Sequence, residues 1–329
     1  MDTAISTLLG TIRLGEPQSS GGLTLIPVFG EAEGVPGFIT LSEALAAGTL
    51  VVTEVDKGAS VPELLARNDG RAGVLVLDGE ELVGAKQNRV LNTSIYLAPG
   101  TQVIIPVSCT ERGRWSYISE RFEDSGHVAA NEVRQAAHRS VTANVRASGS
   151  YRSDQGRVWQ EVDALQSRHA VHSGTDAMRD VYEQRATAFE RLQNEFTVRD
   201  GQTGVFTLWG GQVVGFDVLA TPDAYALLHD RLLRSYALDA LAREATPGVE
   251  DLRTAKEWLV GLADTVATQH ESPGDGTAYR FTGPCVLGSA LVVDDAVLHA
   301  VFFAAADEQT VSREASYPSA RERRGRMGS

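Results

Sequence analysis

Short apolar runs separated by turn residues fill the first third of the chain, and this pattern predicts strands rather than helices. Typical runs are LTLIPVF (23–29) and VLVL (74–77). The dipeptides Asp-Gly at 78–79 and Pro-Gly at 99–100 predict hairpin turns, because glycine tolerates the positive φ that tight turns require. We therefore expect residues 20–120 to be β-rich.

Farther along the chain, helical spacing of apolar residues alternates with further strand patterns. The clearest helical stripe predicts core packing and comprises Met178, Val181, Tyr182, Phe189, Leu192 and Phe196. The predicted elements, in chain order, are a β-rich part at 20–120 with a short helix at 41–48, a helical part at 125–196, a β-hairpin at 203–220, helices at 222–244 and 250–267, and terminal strands at 277–304.

This order predicts an α+β fold. Its core would be a mainly antiparallel β structure built from both ends of the chain, with a central and a C-terminal group of helices packed on it. A chain of 329 residues is long enough for one large domain or two. We expect residues 1–306 to form a single compact domain, and the polar, locally basic residues 307–329 to form a disordered tail.

Charge, cysteine content and the length of apolar runs exclude several classes of protein. A formal net charge of −13 and a pI near 5.0 disfavour nucleic-acid binding, because phosphate contacts need clustered Lys and Arg. The two cysteines, Cys109 and Cys285, are too few for a disulfide scaffold and fit a reducing compartment. No segment approaches the ~18 apolar residues of a membrane-spanning helix. We therefore expect a cytoplasmic protein without a membrane or nucleic-acid partner.

The spacing of possible ligands predicts no metal site. His169 and His172 are the only close pair of histidines, and no third ligand is indicated by spacing. The sequence therefore predicts metal-independent chemistry and leaves the cofactor unknown.

One polar stretch, GEELVGAKQNRV (79–90), interrupts the most apolar part of the chain. Counting along a hairpin through the turn at 99–100 places Val90 opposite Cys109. The stretch would then run beside a second polar sequence, CTERGRW (109–115). We expect the two stretches to line one concave surface, with the side chain of Arg89 pointing into it.

Several of these side chains are candidates for catalysis. A thiolate at Cys109 could act as a nucleophile if Arg112 and Arg114 lowered its pKa, and the carboxylate of Glu80 or Glu81 could serve as general acid or base. Glu111 is a further catalytic candidate. A lone cysteine at a strand end is also often a buried wall of a pocket, so both roles of this cysteine stay open. Carboxylates in β-rich regions are most often solvated or part of structural ion pairs, so one of these roles is the alternative expectation for Glu81 and Glu111.

Amide, guanidinium and indole groups in the same stretches are candidates for ligand binding. Arginine offers forked donors that suit phosphate or carboxylate, and tryptophan offers a ring face for a base. The predicted ligand-binding residues are Gln87, Asn88, Arg89, Arg112, Arg114 and Trp115.

Three segments resemble the core of a bacterial family, the ARG and rhodanese-phosphatase-superfamily-associated protein domain. They are GEELVGAKQNRVLNTS (79–94), IPVSCTERGRW (105–115) and QGRVWQEV (155–162), and the resemblance extends over about residues 20–305. The association with ADP-ribosylglycohydrolases in the family's name implies a role near ADP-ribose or other NAD-derived nucleotides. The resemblance implies a polar enzymatic site at Glu80, Gln87, Asn88, Arg89, Cys109, Glu111, Arg114 and Trp115.

A second resemblance concerns the fold alone. Residues 74–108 resemble a series of cupin strands, but no histidine precedes His127, so a cupin of this kind would lack the usual metal ligands.

The leading hypothesis is an enzyme that acts on an ADP-ribose-type or other NAD-derived nucleotide through a polar Glu/Gln/Arg/Cys site. The alternative is a non-catalytic nucleotide-binding or sensor protein that uses the same pocket, because arginines that bind phosphate serve both functions. The expected partner is a small molecule that bears phosphate, and a homo-oligomer stays open.

Overall fold

The computed structural model describes residues 2–31, 34–55, 62–114, 116–242 and 252–305. The strands are β1 (Arg13–Leu14), β2 (Gln18–Ser20), β3 (Leu23–Phe29), β4 (Phe38–Thr40), β5 (Leu50–Glu54), β6 (Glu63–Asn68), β7 (Gly73–Val76), β8 (Glu80–Gly84), β9 (Arg89–Leu91), β10 (Ile95–Leu97), β11 (Gln102–Cys109), β12 (Phe122–Val128), β13 (Gly204–Trp209), β14 (Gln212–Leu219), β15 (Val266–Glu271), β16 (Thr277–Gly283), β17 (Val286–Val293) and β18 (Ala296–Ala304). The helices are α1 (Thr3–Thr11), α2 (Leu41–Ala46), α3 (Asn131–Ser148), α4 (Gln155–Arg168), α5 (Arg179–Gln184), α6 (Ala186–Glu195), α7 (Pro222–Leu241) and α8 (Leu252–Gly261).

The largest sheet joins strands from the two ends of the chain. Its order is β1-β3-β13-β14-β18-β17-β16-β15, with β2 beside β3, and its paired strands are antiparallel. Every residue of β17, VLGSALVV, is buried, as expected of a strand that packs on both faces. The prediction of an α+β fold with an antiparallel core from both ends is therefore confirmed.

The hairpin predicted at 203–220 is confirmed as β13 and β14. Gly210 and Gly211 connect the two strands with φ values of 55° and 79°, which fit the turn that favours glycine or asparagine. The same two strands lie next to β3 and β18, so the hairpin forms the centre of the large sheet.

The two turns predicted in the first third exist, but they do not form hairpins. Gly79 and Gly100 have positive φ, yet each turn joins strands that go to different partners. Strand β7 pairs with β4 and β10, whereas β8 pairs with β9 and β12. Strand β11 pairs with β6 and then with β9, so Cys109 lies opposite Arg89 rather than opposite Val90. A turn signal fixes a chain reversal but not the partner of the next strand.

Local capping signals explain where several helices begin and end. Helix α2 starts with a capping box between Thr40 and Glu43, which confirms the short predicted helix at 41–48. Helix α7 begins at Pro222 after the cap Thr221, and α3 ends at Gly149 in the left-handed conformation. The predicted helix at 250–267 is too long, because β15 starts at Val266.

Helices α3, α4 and α7 pack on one another and against the strands. Helix α7 contacts β12, β13 and β14, while α3 contacts α4 and β17. No helix among the described residues is long and apolar enough to cross a membrane. The tail predicted at 307–329 lies outside the described residues.

Candidate functional site

The two polar stretches come together in the six-stranded sheet, whose order is β12-β8-β9-β11-β6-β5. Adjacent residues of a strand point to opposite faces, so Glu80 and Glu81 at the start of β8 face different surroundings. Both carboxyl groups are fully buried. The strand therefore presents one candidate acid to each side of the sheet.

An open cleft of about 500 Å³ lies between the end of this sheet and the start of α5. It contains three of the predicted site residues: Asn88, Glu111 and Arg114. Its lining residues are Val83, Gly84, Asn88, Glu111, Arg114, Ile118, Ser119, Glu123, Thr175, Ala177, Arg179, Asp180 and Glu183. We call this depression the polar cleft.

Arg114 fixes one wall of the polar cleft. Its Nε donates to both carboxylate oxygens of Glu111 at 2.9 and 3.0 Å, and its Nη1 donates to the carbonyl of Ala85 at 2.7 Å. Its Nη2 donates to Oδ1 of Asn88 at 3.0 Å, and the backbone N–H of Asn88 donates to Glu111. These three predicted residues therefore form one bonded group, and Arg114 acts as a clamp within the protein.

Glu81 lies beneath the polar cleft. It shares a strand face with Val83, which lines the cleft two residues farther along β8. Its Oε1 accepts a hydrogen bond from the hydroxyl of Thr110 at 2.7 Å, and the hydroxyl of Ser125 also favours the charged form of the carboxyl group. Burial raises the pKa of Glu81 to about 7, and the Thr110 hydroxyl opposes that rise. The carboxyl group can therefore exchange a proton near neutral pH.

The expectation that Glu81 is solvated or ion-paired is wrong, because its carboxyl group is fully buried and its bonded partner is a hydroxyl. Glu80, the other glutamate predicted as general acid or base, faces the opposite side of β8. Its Oε2 accepts from the backbone N–H of Leu77 at 2.8 Å, and Arg231 of α7 lies 3.5 Å from its Oε1. Burial also raises the pKa of Glu80 to about 7, against the charge of Arg231. Neither Glu80 nor Glu81 is itself among the residues that line the polar cleft, and the lining residue Val83 shares the strand face of Glu81.

Arg89 points into the protein rather than into the polar cleft. It is 1 % exposed, its Nη1 donates to Oε1 of Gln87 at 3.1 Å, and its Nη2 lies 3.7 Å from Glu54. Gln87 also reaches the carbonyl of Arg112, with an Nε2 to oxygen distance of 3.4 Å. Neither Arg89 nor Gln87 lines the cleft, so the expectation that Arg89 points into it is wrong.

Cys109 is a buried residue whose thiol is poorly suited to ionise. Burial raises the pKa of the Cys109 thiol even though Arg89 lies nearby. The predicted depression of this pKa by Arg112 and Arg114 is wrong, because Arg112 binds Asp163 and Arg114 binds Glu111. The side chain of Gln155 bonds to both the backbone N–H and the carbonyl of Cys109, which fixes this end of β11.

The remaining predicted residues lie apart from the polar cleft or outside the described chain. Arg112 is 42 % exposed at its side chain and binds Asp163 and Asp176 at 3.1 and 3.0 Å. It is not among the lining residues. Trp115 lies outside the described residues.

The contribution of helix α5 to the polar cleft was not predicted from the sequence. Val181 and Tyr182 are buried, as their spacing predicted, while Arg179, Asp180 and Glu183 line the polar cleft. Arg179 and Glu183 form an i, i+4 ion pair with an Nε to Oε1 distance of 2.7 Å. That polar spacing was visible in the sequence, but spacing alone does not show which surface it faces.

A second buried polar group lies away from the polar cleft. Asp78, Asp217 and His299 each offer an atom within 4.8 Å of the others, a spacing that could hold a metal ion. However, Nη2 of Arg134 donates to both carboxylates at 2.9 Å, and Nδ1 of His299 lies 2.7 Å from the hydroxyl of Ser94. The arginine already supplies the positive charge there, so the arrangement fits a structural ion cluster.

The similarity to a known family extends over nearly the whole chain and is not limited to the cleft. The family model of the ARG and Rhodanese-Phosphatase-superfamily-associated Protein domain matches residues 11–303. No curated protein and no solved structure matches the chain. Because the match covers both polar stretches, nearly all of the large sheet and helices α2 to α8, the chain belongs to the ARG and Rhodanese-Phosphatase-superfamily-associated Protein domain family.

Proposed function

We propose that the protein is an enzyme that acts on an ADP-ribose-type or other NAD-derived nucleotide in the polar cleft, with Glu81 as the group that transfers a proton. The observation that carries this proposal is the buried carboxyl of Glu81 beneath an open polar cleft, with a pKa of about 7. General acid or base groups work best when their pKa lies near the working pH. The family's name, which associates it with ARG and rhodanese-phosphatase proteins, supports a role beside such enzymes.

The charges of the polar cleft favour the sugar part of such a ligand. The lining residues include the carboxylates Glu111, Glu123, Asp180 and Glu183, and the arginines Arg114 and Arg179. Carboxylate and amide oxygens accept hydrogen bonds from sugar hydroxyl groups. Arg179 is 40 % exposed at its side chain and pairs with Glu183 through its Nε. It is the lining arginine that we propose contacts a phosphate, because the donors of Arg114 are occupied by the protein.

The two adjacent glutamates provide a matched test. Glu81→Gln keeps an acceptor for Thr110 but removes the proton transfer, whereas Glu80→Gln removes a carboxyl of similar burial and pKa on the other face of β8. We expect ADP-ribose, NAD and related nucleotides to include a substrate whose turnover, followed by mass spectrometry, falls about 10²- to 10⁴-fold in Glu81→Gln. Glu80→Gln should retain wild-type turnover. Equal activity of the two variants would contradict the role of Glu81.

The alternative function is binding without turnover. The bonded group of Asn88, Glu111 and Arg114 is a rigid, preformed wall, and such a wall also suits a sensor. Isothermal titration distinguishes the two functions. Binding of a nucleotide that wild-type protein leaves unchanged over a long incubation would favour the sensor.

A further inference from the structure

The polar cleft adjoins a second depression across Glu183, which lines both. The second depression has a volume of about 290 Å³, and we call it the aromatic lobe. Its lining residues are His127, Tyr182, Glu183, Ala186, Phe189, Glu190, Gln193 and Arg234. Glu183, which is exposed, is therefore part of the rim of both depressions.

A row of stacked rings forms the floor of the aromatic lobe. The rings of His127 and Tyr182 are 4.4 Å apart with an interplanar angle of 25°, and those of Tyr182 and Phe189 are 5.8 Å apart at 23°. Tyr182 and Phe189 are buried, whereas His127 is only half-buried. His127 is therefore the ring of this row that a ligand would meet first.

The imidazole of His127 is uncharged at neutral pH. Burial and, second to it, the positive charge of Arg234 together lower its pKa to about 3. Its Nδ1 is buried and has no hydrogen-bond partner among the described residues. A neutral ring of this kind offers a flat face for stacking without the cost of desolvating a charge.

Arg234 and the rim of the lobe complete a site for a flat, polar group. Arg234 is held by the carbonyls of Gly126 and Asp230, at 2.9 and 3.1 Å, so its planar guanidinium is fixed beside the ring. The rim residues Glu183 and Glu190 are exposed, and their carboxylates accept hydrogen bonds. A heterocycle that carries an exocyclic amino group would match both the flat floor and these acceptors.

We propose that the aromatic lobe binds the purine ring of the nucleotide whose sugar occupies the polar cleft, with His127 as its stacking partner. This inference rests on the proposed function, and it adds the base that the site would select. A ligand with a sugar and phosphate but no base would fill the polar cleft alone. A base without a sugar would fill the lobe alone.

The test separates the lobe from the cleft by using ligand fragments. Titration calorimetry with adenosine 5′-monophosphate and ribose 5-phosphate should show that His127→Ala weakens binding of the nucleotide about 10-fold or more, as loss of a base-stacking ring does. Binding of ribose 5-phosphate should change less than twofold. His127→Phe should restore binding of the nucleotide, because it keeps the ring face. His270→Ala, at a half-buried histidine of β15, is the control.

Saturation-transfer NMR with adenine alone keeps the two proposals distinguishable. Magnetisation transfer to adenine in the wild-type protein, and its loss in His127→Ala, would support binding of the base in the aromatic lobe. This result would stand even if ribose 5-phosphate failed to bind and the proposed function were contradicted. Absence of transfer to adenine, or nucleotide binding that His127→Ala leaves unchanged, would overturn the inference while leaving the test of Glu81 intact.

Discussion

Glu80 and Glu81 are neighbours on one strand, yet their carboxyl groups are buried on opposite sides of the same sheet. Glu80 lies near Arg231 of α7, whereas Glu81 bonds to Thr110 beneath the polar cleft. Burial raises the pKa of each to about 7. The two carboxyl groups have similar pKa values but lie in different surroundings. Substituting each in turn therefore separates an effect on stability from an effect on activity.

The first prediction concerns the dependence of stability on pH. Both glutamates have a folded pKa near 7, above the ordinary value of 4.5, so the folded state binds more protons than the unfolded state between these values. The stability that these two carboxyl groups contribute should therefore be fully present below about pH 4.5 and be lost as pH rises through 7, by up to about 3 kcal/mol for each carboxyl. Urea unfolding at pH 5 and pH 8 measures the difference.

Glu80→Gln should reduce this pH dependence by about half, and the double variant Glu80→Gln/Glu81→Gln should nearly abolish it. The same loss of stability between pH 5 and pH 8 in wild type and the double variant would show that these carboxyl groups do not titrate in this range.

The second prediction compares two neighbouring arginines. Arg114 is 12 % exposed at its side chain and bonds to Glu111, Asn88 and the carbonyl of Ala85, whereas Arg112 forms half-exposed ion pairs. Arg114→Ala should lower the free energy of unfolding by about 2–3 kcal/mol, because it leaves a buried carboxylate unpaired. Arg112→Ala should lower it by less than about 1 kcal/mol.

Thermal and urea unfolding of both variants measure these changes. Equal losses for the two arginines would contradict the clamp assigned to Arg114. Hydrogen exchange of the backbone amide of Asn88, which donates to Glu111, should quicken in Arg114→Ala but not in Arg112→Ala.

The third prediction uses the two native cysteines as test and control. Cys109 is buried with a raised thiol pKa, while Cys285 is exposed. A thiol reagent at pH 7 should modify one cysteine of the folded chain quickly, and mass spectrometry should identify it as Cys285. Cys109 should react only after unfolding. Rapid labelling of Cys109 in the folded protein would contradict this prediction and support Cys109 as a nucleophile.

Local signals in the sequence predicted the elements well, because each depends on residues close in the chain. The strand pattern at 203–220 and the helical spacing at 222–244 predicted β13, β14 and α7 without reference to the rest of the protein. The cap at Thr221 and the turn at Gly210 and Gly211, which the structure shows, are local features of the same kind. The α+β class and the hairpin at 203–220 followed from such signals.

The register and the site depended on contacts that the local pattern does not contain. Strand β11 first pairs with β6 and only then with β9, which moves Cys109 opposite Arg89. A shift of one residue in register turns each side chain to the other face, so the faces predicted for the polar residues changed with it. The approach of α5 to the sheet, which brings Arg179 to the cleft, is a tertiary contact of the same kind.

The last prediction concerns the buried ion cluster. Arg134 bonds to both Asp78 and Asp217, and all three side chains are buried. Asp217→Asn removes one of the two negative charges that face this arginine, so we expect the free energy of unfolding to fall by about 3–5 kcal/mol. Asp163→Asn, at an exposed partner of Arg112, should cost less than about 1 kcal/mol.

Acid unfolding of the wild-type chain tests the same cluster without a substitution. Burial alone would raise the pKa of Asp217, but Arg134 and His299 outweigh it and hold this pKa well below the ordinary value. The stability that this carboxylate contributes is therefore present above about pH 4 and lost as pH falls through the folded pKa. Urea unfolding from pH 4 to pH 2 should show the loss in wild type and Asp163→Asn, and a much smaller one in Asp217→Asn. Identical acid profiles for the two variants would show that the cluster does not hold Asp217 ionised.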